Sequence, residues 1–186
     1  MKRRPLNRSQ LLPLPAEALR RVRLRHHLAL ASLRGAQAAP EQLALLLSTV
    51  QIAYLLRSPA AVRAARAAAR QADEAGDGWE AGEIDDEAAP YRRAERALEQ
   101  CYLRLRGGAA ELLRDDERRE LERLMTAFDA RLATLPSQRY LDAQAELHHY
   151  VFTGRSPIPA GPCDRPNSAI ALKKIAPPSG GRDIQV

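Results

Sequence analysis

The sequence predicts an all-α protein: a single bundle of five or six helices with a basic N-terminal arm and a disordered C-terminal tail. Three observations carry this. Ala (34 residues) and Leu (27) dominate the apolar set of the 186-residue chain, and only eight residues are aromatic, a palette that favours helix over strand. Apolar residues recur at helical spacing, not in alternation, over successive windows. Pro and Gly punctuate the ends of those windows. A chain of this length is sufficient for one sizeable core.

Residues 1–13 form the basic arm, 14–152 the helical domain, and 153–186 a Pro/Gly-rich tail. The first helix is expected over 15–34, with Pro15 in its first turn and Gly35 as its stop. Leu19, Val22, His26, Ala29 and Leu33 form its expected inner stripe, widened by Leu24, Leu28 and Ala31. A second helix, over 40–57, places Leu43, Leu46, Leu47, Val50, Ala53 and Tyr54 at helical spacing with apolar neighbours nearly all round, as a central helix requires. Ser58-Pro59 starts a third, over 59–75, with Ala61, Ala65, Ala68 and Ala72 opposite Arg63, Arg66 and Arg70.

The segment 76–89 is glycine-rich and acidic and is expected as a loop. Pro90 opens a fourth helix, striped by Tyr91, Ala94, Leu98, Cys101, Tyr102 and Leu105 and stopped by Gly107-Gly108. Asp115 or Asp116 is the expected cap of a fifth, whose stripe of Leu121, Leu124, Met125, Phe128, Leu132 and Leu135 is the clearest in the chain. After Pro136-Ser137, a sixth turns Tyr140, Ala143, Leu147, Tyr150 and Val151 inward. Leu46, Val50, Leu98, Tyr102, Leu124, Phe128 and Leu147 are the expected core.

Charge is sorted along the chain. Residues 1–72 hold thirteen Arg or Lys against two acids; residues 73–89 hold eight acids and no base. Residues 90–152 are balanced, and the net charge is +6. A basic front half points to a polyanion or an acidic partner, with the adjoining acidic run as a built-in competitor. The predominance of Arg (26) over Lys (3) carries less, because a GC-rich genome writes Arg for Lys throughout.

Catalytic and ligand signatures are missing from this pattern. No serine lies in a Gly-x-Ser-x-Gly elbow, and Cys101 falls in a core-facing stripe where a thiol is inert packing. No phosphate-cradling glycine loop is visible. The histidines come as two adjacent pairs, His26-His27 and His148-His149. Neighbouring helical residues diverge by about 100°, so each pair is expected to offer one ligand to any shared site. Glu146-x-x-His149 has di-iron spacing but lacks the second such pair that a carboxylate-bridged centre needs. A zinc shared by His26, His149 and Cys101 is the remaining combination, and satisfied histidines at helix contacts are the simpler expectation. The reading is therefore non-enzymatic, with no cofactor and no metal.

Two cysteines in unlike settings form no disulfide framework, which suits a reducing cytoplasm. The N-terminus is basic but lacks the apolar run of a secretory signal. The most apolar stretch, residues 43–56, is too short and too polar to span a bilayer, so no membrane is expected.

Phosphate contacts are the sharpest binding expectation. The arm residues Lys2, Arg3, Arg4 and Arg8, the first-helix cluster Arg20, Arg21, Arg23 and Arg25, and the third-helix stripe Arg63, Arg66 and Arg70 are the candidate nucleic-acid-binding residues. No recognition helix rich in Asn, Gln and Ser accompanies them for base readout.

Several stretches carry a family resemblance. Leu12-Pro13-Leu14-Pro15, Leu24-Arg25-His26-His27-Leu28-Ala29-Leu30, the run from Tyr91 to Cys101, Leu121-Glu122-Arg123-Leu124 and Phe128-Asp129-Ala130-Arg131-Leu132 together resemble small helical β-proteobacterial proteins that often carry a Fis-type transcriptional regulator label. The resemblance spans roughly residues 11–147 and is one of helix faces. It implies DNA binding and transcription regulation. Fis proteins themselves end in a helix-turn-helix, whereas this chain ends in the Pro-rich tail, so no functional residue transfers. The leading expectation is a nucleic-acid-associated, regulatory helical protein; the alternative is an adaptor whose basic helices meet an acidic partner protein. The oligomeric state is not set by the sequence.

Overall fold

The computed structural model describes residues 11–34, 39–57, 86–109 and 111–159, which contain five α-helices and no strand. In chain order these are α1 (Ala16–Ser32), α2 (Pro40–Leu55), α3 (Ala89–Arg106), α4 (Asp115–Leu132) and α5 (Ser137–Thr153), with a 3-10 turn at Asp86–Ala88 leading into α3. The third expected helix, the arm residues 1–10 and the tail from residue 160 lie outside the described residues.

The centre of the bundle is α2. Pro40 stands in its first turn, where a missing N–H costs nothing. The Ala39 N–H there donates to Gln42 Oε1 at 2.8 Å. The helix packs against α1, α3 and α5, which is why its apolar residues run all round the axis. Leu43, Leu46, Val50 and Tyr54 are fully enclosed. All seven expected core residues are buried, from Leu46 and Val50 through Leu98, Tyr102, Leu124 and Phe128 to Leu147.

Helix ends follow local chemistry. Gly108 has a φ of 70°, a left-handed conformation that glycine adopts without a Cβ penalty, just after α3. At the start of α4 neither Asp115 nor Asp116 is the cap. Arg114 holds that position, and its N–H donates to Glu117 Oε2 at 2.9 Å. The two aspartates lie within the first turn, where their charge favours the helix N-terminus. A short antiparallel bridge between Pro13 and Pro136, with the Ser137 N–H donating to the Leu12 carbonyl at 2.7 Å, ties the entry of α1 to the α4–α5 turn.

Two expectations need correction. Leu24, Leu28 and Ala31 do not widen the inner stripe of α1: they are exposed, and Leu30 is buried instead. α1 lies on the outside of the bundle against α2 and α4, so only one sector of it is covered. The segment just after α5, expected as tail, also reaches the core. Ile158 is buried in the core, and Ser156 Oγ donates to Glu95 Oε1 at 2.7 Å. No helix among the described residues is long and apolar enough to cross a membrane.

Candidate functional site

Among the described residues, chemistry-bearing side chains converge most tightly between α1 and α4. Arg23, His26 and His27 stand at i, i+3 and i+4, which makes them one patch on a helix surface. All three reach Asp129. His26 Nε2–H donates to Oδ1 at 3.0 Å and His27 Nε2–H to Oδ2 at 2.8 Å; the carboxylate can only accept, which fixes the ring nitrogens as donors. Arg23 Nη2 donates to the Asp129 main-chain carbonyl at 2.7 Å, and its Nε lies 3.7 Å from Oδ1. Two turns past His27 and just beyond the end of α1, Arg34 pairs with Glu122 of α4 at 2.8 Å and adds a second polar tie.

Burial grades across the cluster. The side chains of His26, Asp129 and His27 are 2%, 18% and 46% exposed, so the cluster opens to solvent on the His27 side. The Phe128 ring lies 5.5 Å from that of His26 and closes the inner side. Burial holds His26 below the ordinary imidazole pKa, opposed by its hydrogen bond to Asp129 and by that carboxylate's charge.

The expectation that an adjacent histidine pair supplies only one ligand is overturned here. The 100° divergence holds at Cβ, but each imidazole adds two torsions beyond it. Asp129 approaches the sector between the two, with the rings only 5.0 Å apart. The Arg23-x-x-His26-His27 spacing was the readable signal. Asp129 itself was not readable, being 103 residues from His26. The combination of His26, His149 and Cys101 is not assembled: Cys101 is enclosed in the core and His149 is exposed on α5.

The nucleic-acid candidates divide. Lys2, Arg3, Arg4, Arg8, Arg63, Arg66 and Arg70 lie outside the described residues. Arg20, Arg21 and Arg25 are exposed on α1, with Arg21 paired to Glu17. Arg23 is turned to Asp129 and does not project with them. Between these exposed arginines run Leu24 and Leu28, 57% and 60% exposed.

A second acidic site lies on α3. Glu95 accepts from Gln51 Nε2 at 2.8 Å and from Ser156, and burial raises its carboxyl above the usual range. One turn on, burial and the neighbouring Glu95 push Glu99 up to about 7. Such carboxyls are capable of proton transfer near neutrality, yet Glu95 is occupied in joining α2, α3 and the segment after α5. Cys101 is pushed up to about 11 by burial, which leaves its thiol protonated and unreactive at neutral pH.

No family model, no curated protein and no solved structure matches this chain.

Proposed function

We propose that this chain is a non-enzymatic, cytoplasmic adaptor that binds an acidic partner protein through the outer face of α1. The supporting observation is the strip formed by Leu24 and Leu28, with Ala31, at i, i+4 and i+7, exposed between Arg20 on one side and Arg21 and Arg25 on the other. That spacing is the anchor pattern of a helix in a protein–protein groove. Phosphates would use the arginines but would gain nothing from two exposed leucines, which favours a protein partner with carboxylates around an apolar centre.

The test is capture of partners from nuclease-treated lysate by the full chain, by Leu24→Asp/Leu28→Asp, and by Arg20→Gln/Arg25→Gln. Support requires an identified acidic protein that is retained by the wild type after nuclease and lost by both variants. Retention by both variants refutes the α1 face.

The second reading is nucleic-acid association, with the transcription regulation that the family resemblance implies. It draws on the exposure of Arg20, Arg21 and Arg25 along a single helix. It requires binding to duplex DNA whose affinity falls steeply with salt, by a slope of about 0.9 per phosphate neutralised. Fluorescence anisotropy with labelled duplex at low salt measures this, and a flat titration removes it.

A further inference from the structure

We propose that His26, His27 and Asp129 form a binding site for one divalent transition-metal ion, zinc foremost, that clips α1 to α4. The donor set comes first. Two imidazole nitrogens and one carboxylate oxygen make a borderline N,N,O triad of the kind that holds zinc with a water in the fourth position. One donor atom from each residue lies within 4.8 Å of the other two. Zinc–nitrogen bonds of about 2.0–2.1 Å and zinc–oxygen bonds of about 2.0–2.2 Å place tetrahedral donors about 3.3 Å apart. The present contacts run from His26 to Oδ1 at 3.0 Å and from His27 to Oδ2 at 2.8 Å, so the carboxylate must turn to offer a single oxygen to an ion between the two rings.

Access and surroundings agree with such a site. Phe128 closes the inner side, while the exposed side of His27 leaves a path for the ion and room for the water ligand. Both histidines must present a neutral Nε2 lone pair. A shift of each ring proton from Nε2 to Nδ1 frees that lone pair without changing the ring's charge. The histidines stand 103 and 102 positions from Asp129 in the chain, so a shared ion would restrict the unfolded ensemble as well as bind the folded one.

One group opposes the ion. The Arg23 guanidinium, 3.7 Å from Oδ1, offers the carboxylate a competing cation. This makes the proposal specific: removing that charge should tighten metal binding, an effect that a purely structural hydrogen-bond cluster does not produce.

The experiment uses the untagged full chain, stripped with chelator and titrated with Zn(II) by calorimetry and with Co(II) by visible absorption. One equivalent of metal is expected, with the d–d bands of a low-coordinate nitrogen/oxygen site and a raised melting temperature in zinc. His27→Ala, at an exposed position, and the isosteric Asp129→Asn should each weaken binding by at least about tenfold, with far-UV circular dichroism reporting that the helices persist. Arg23→Gln should tighten it by about two- to fivefold. His148→Ala/His149→Ala, which removes the other pair, should change nothing. Absence of one-equivalent binding, unchanged affinity in His27→Ala, or loss of binding in the His148/His149 variant overturns the proposal. If Asp129→Asn fails to fold, His27→Ala alone decides.

Discussion

Helices α1 and α2 are nearly the same length and both rich in Leu and Ala, yet they live in different environments. α2 buries ten of its sixteen residues, whereas α1 buries three of seventeen. Leu46 is fully enclosed in α2, while Leu24 and Leu28 in α1 are more than half exposed. The difference lies in what separates the leucines. In α2 the intervening residues are mostly apolar or small, and the buried amide of Gln51 donates to Glu95, so nearly every direction can be covered; in α1 they include Arg20, Arg21 and Arg25, whose solvation keeps one side outside. Burial therefore concentrates in α2 and its neighbours, and exposed leucine and arginine side chains in α1.

The comparison breaks first at the core. Phe128→Ala should cost about 3–5 kcal/mol and Leu46→Ala about 2–5 kcal/mol, measured by chemical denaturation. A loss below about 1 kcal/mol at either position would remove the packing scheme. Leu24→Ala should stay within about 0.5 kcal/mol of wild type; equal costs at Leu24 and Leu46 would erase the distinction between the two helices.

The segment after α5 is the next test. Ile158→Ala should cost about 2 kcal/mol, the low end for emptying a buried aliphatic site. Truncation just before Ser156 should lower the melting temperature, because it also removes a hydrogen bond from half-buried Glu95. An unchanged melting temperature would place this segment outside the cooperative unit.

A smaller effect is expected from Glu99. Its carboxyl is raised from 4.5 to about 7, so the folded state binds the proton more tightly than the unfolded chain. The stabilising contribution is full below about pH 4.5 and declines as pH rises towards 7. Glu99→Gln should therefore be more stable than wild type above pH 7, with the difference vanishing by about pH 4.5. Glu99 is only partly buried, and solvent screening keeps the gain modest. Thermal melts across that range give the sign directly.

The smallest change belongs to the surface pair Glu17–Arg21, both members of which are more than three-quarters exposed. Glu17→Ala should leave the denaturation midpoint unmoved, since such pairs contribute almost nothing in water. A clear loss would mean that the outer face of α1 takes part in the fold.

The sequence by itself determined the helical class, the order of the five described helices and seven residues of the core. The reason is local: propensity and the 3.6-residue period are properties of neighbouring residues, and Leu121, Leu124, Met125, Phe128 and Leu132 declare the inner side of α4 unaided. It did not determine which sector of α1 is covered, because Leu24 and Leu28 carry the same apolar signal whether or not a neighbour meets them. The burial of Ile158 also lacked a period to announce it. The convergence of Arg23, His26 and His27 on Asp129 was half legible, since their shared patch follows from spacing alone. Their acceptor was not: only the crossing of α1 and α4 brings a residue about a hundred positions away within hydrogen-bonding distance, and that crossing is set by how the whole core packs.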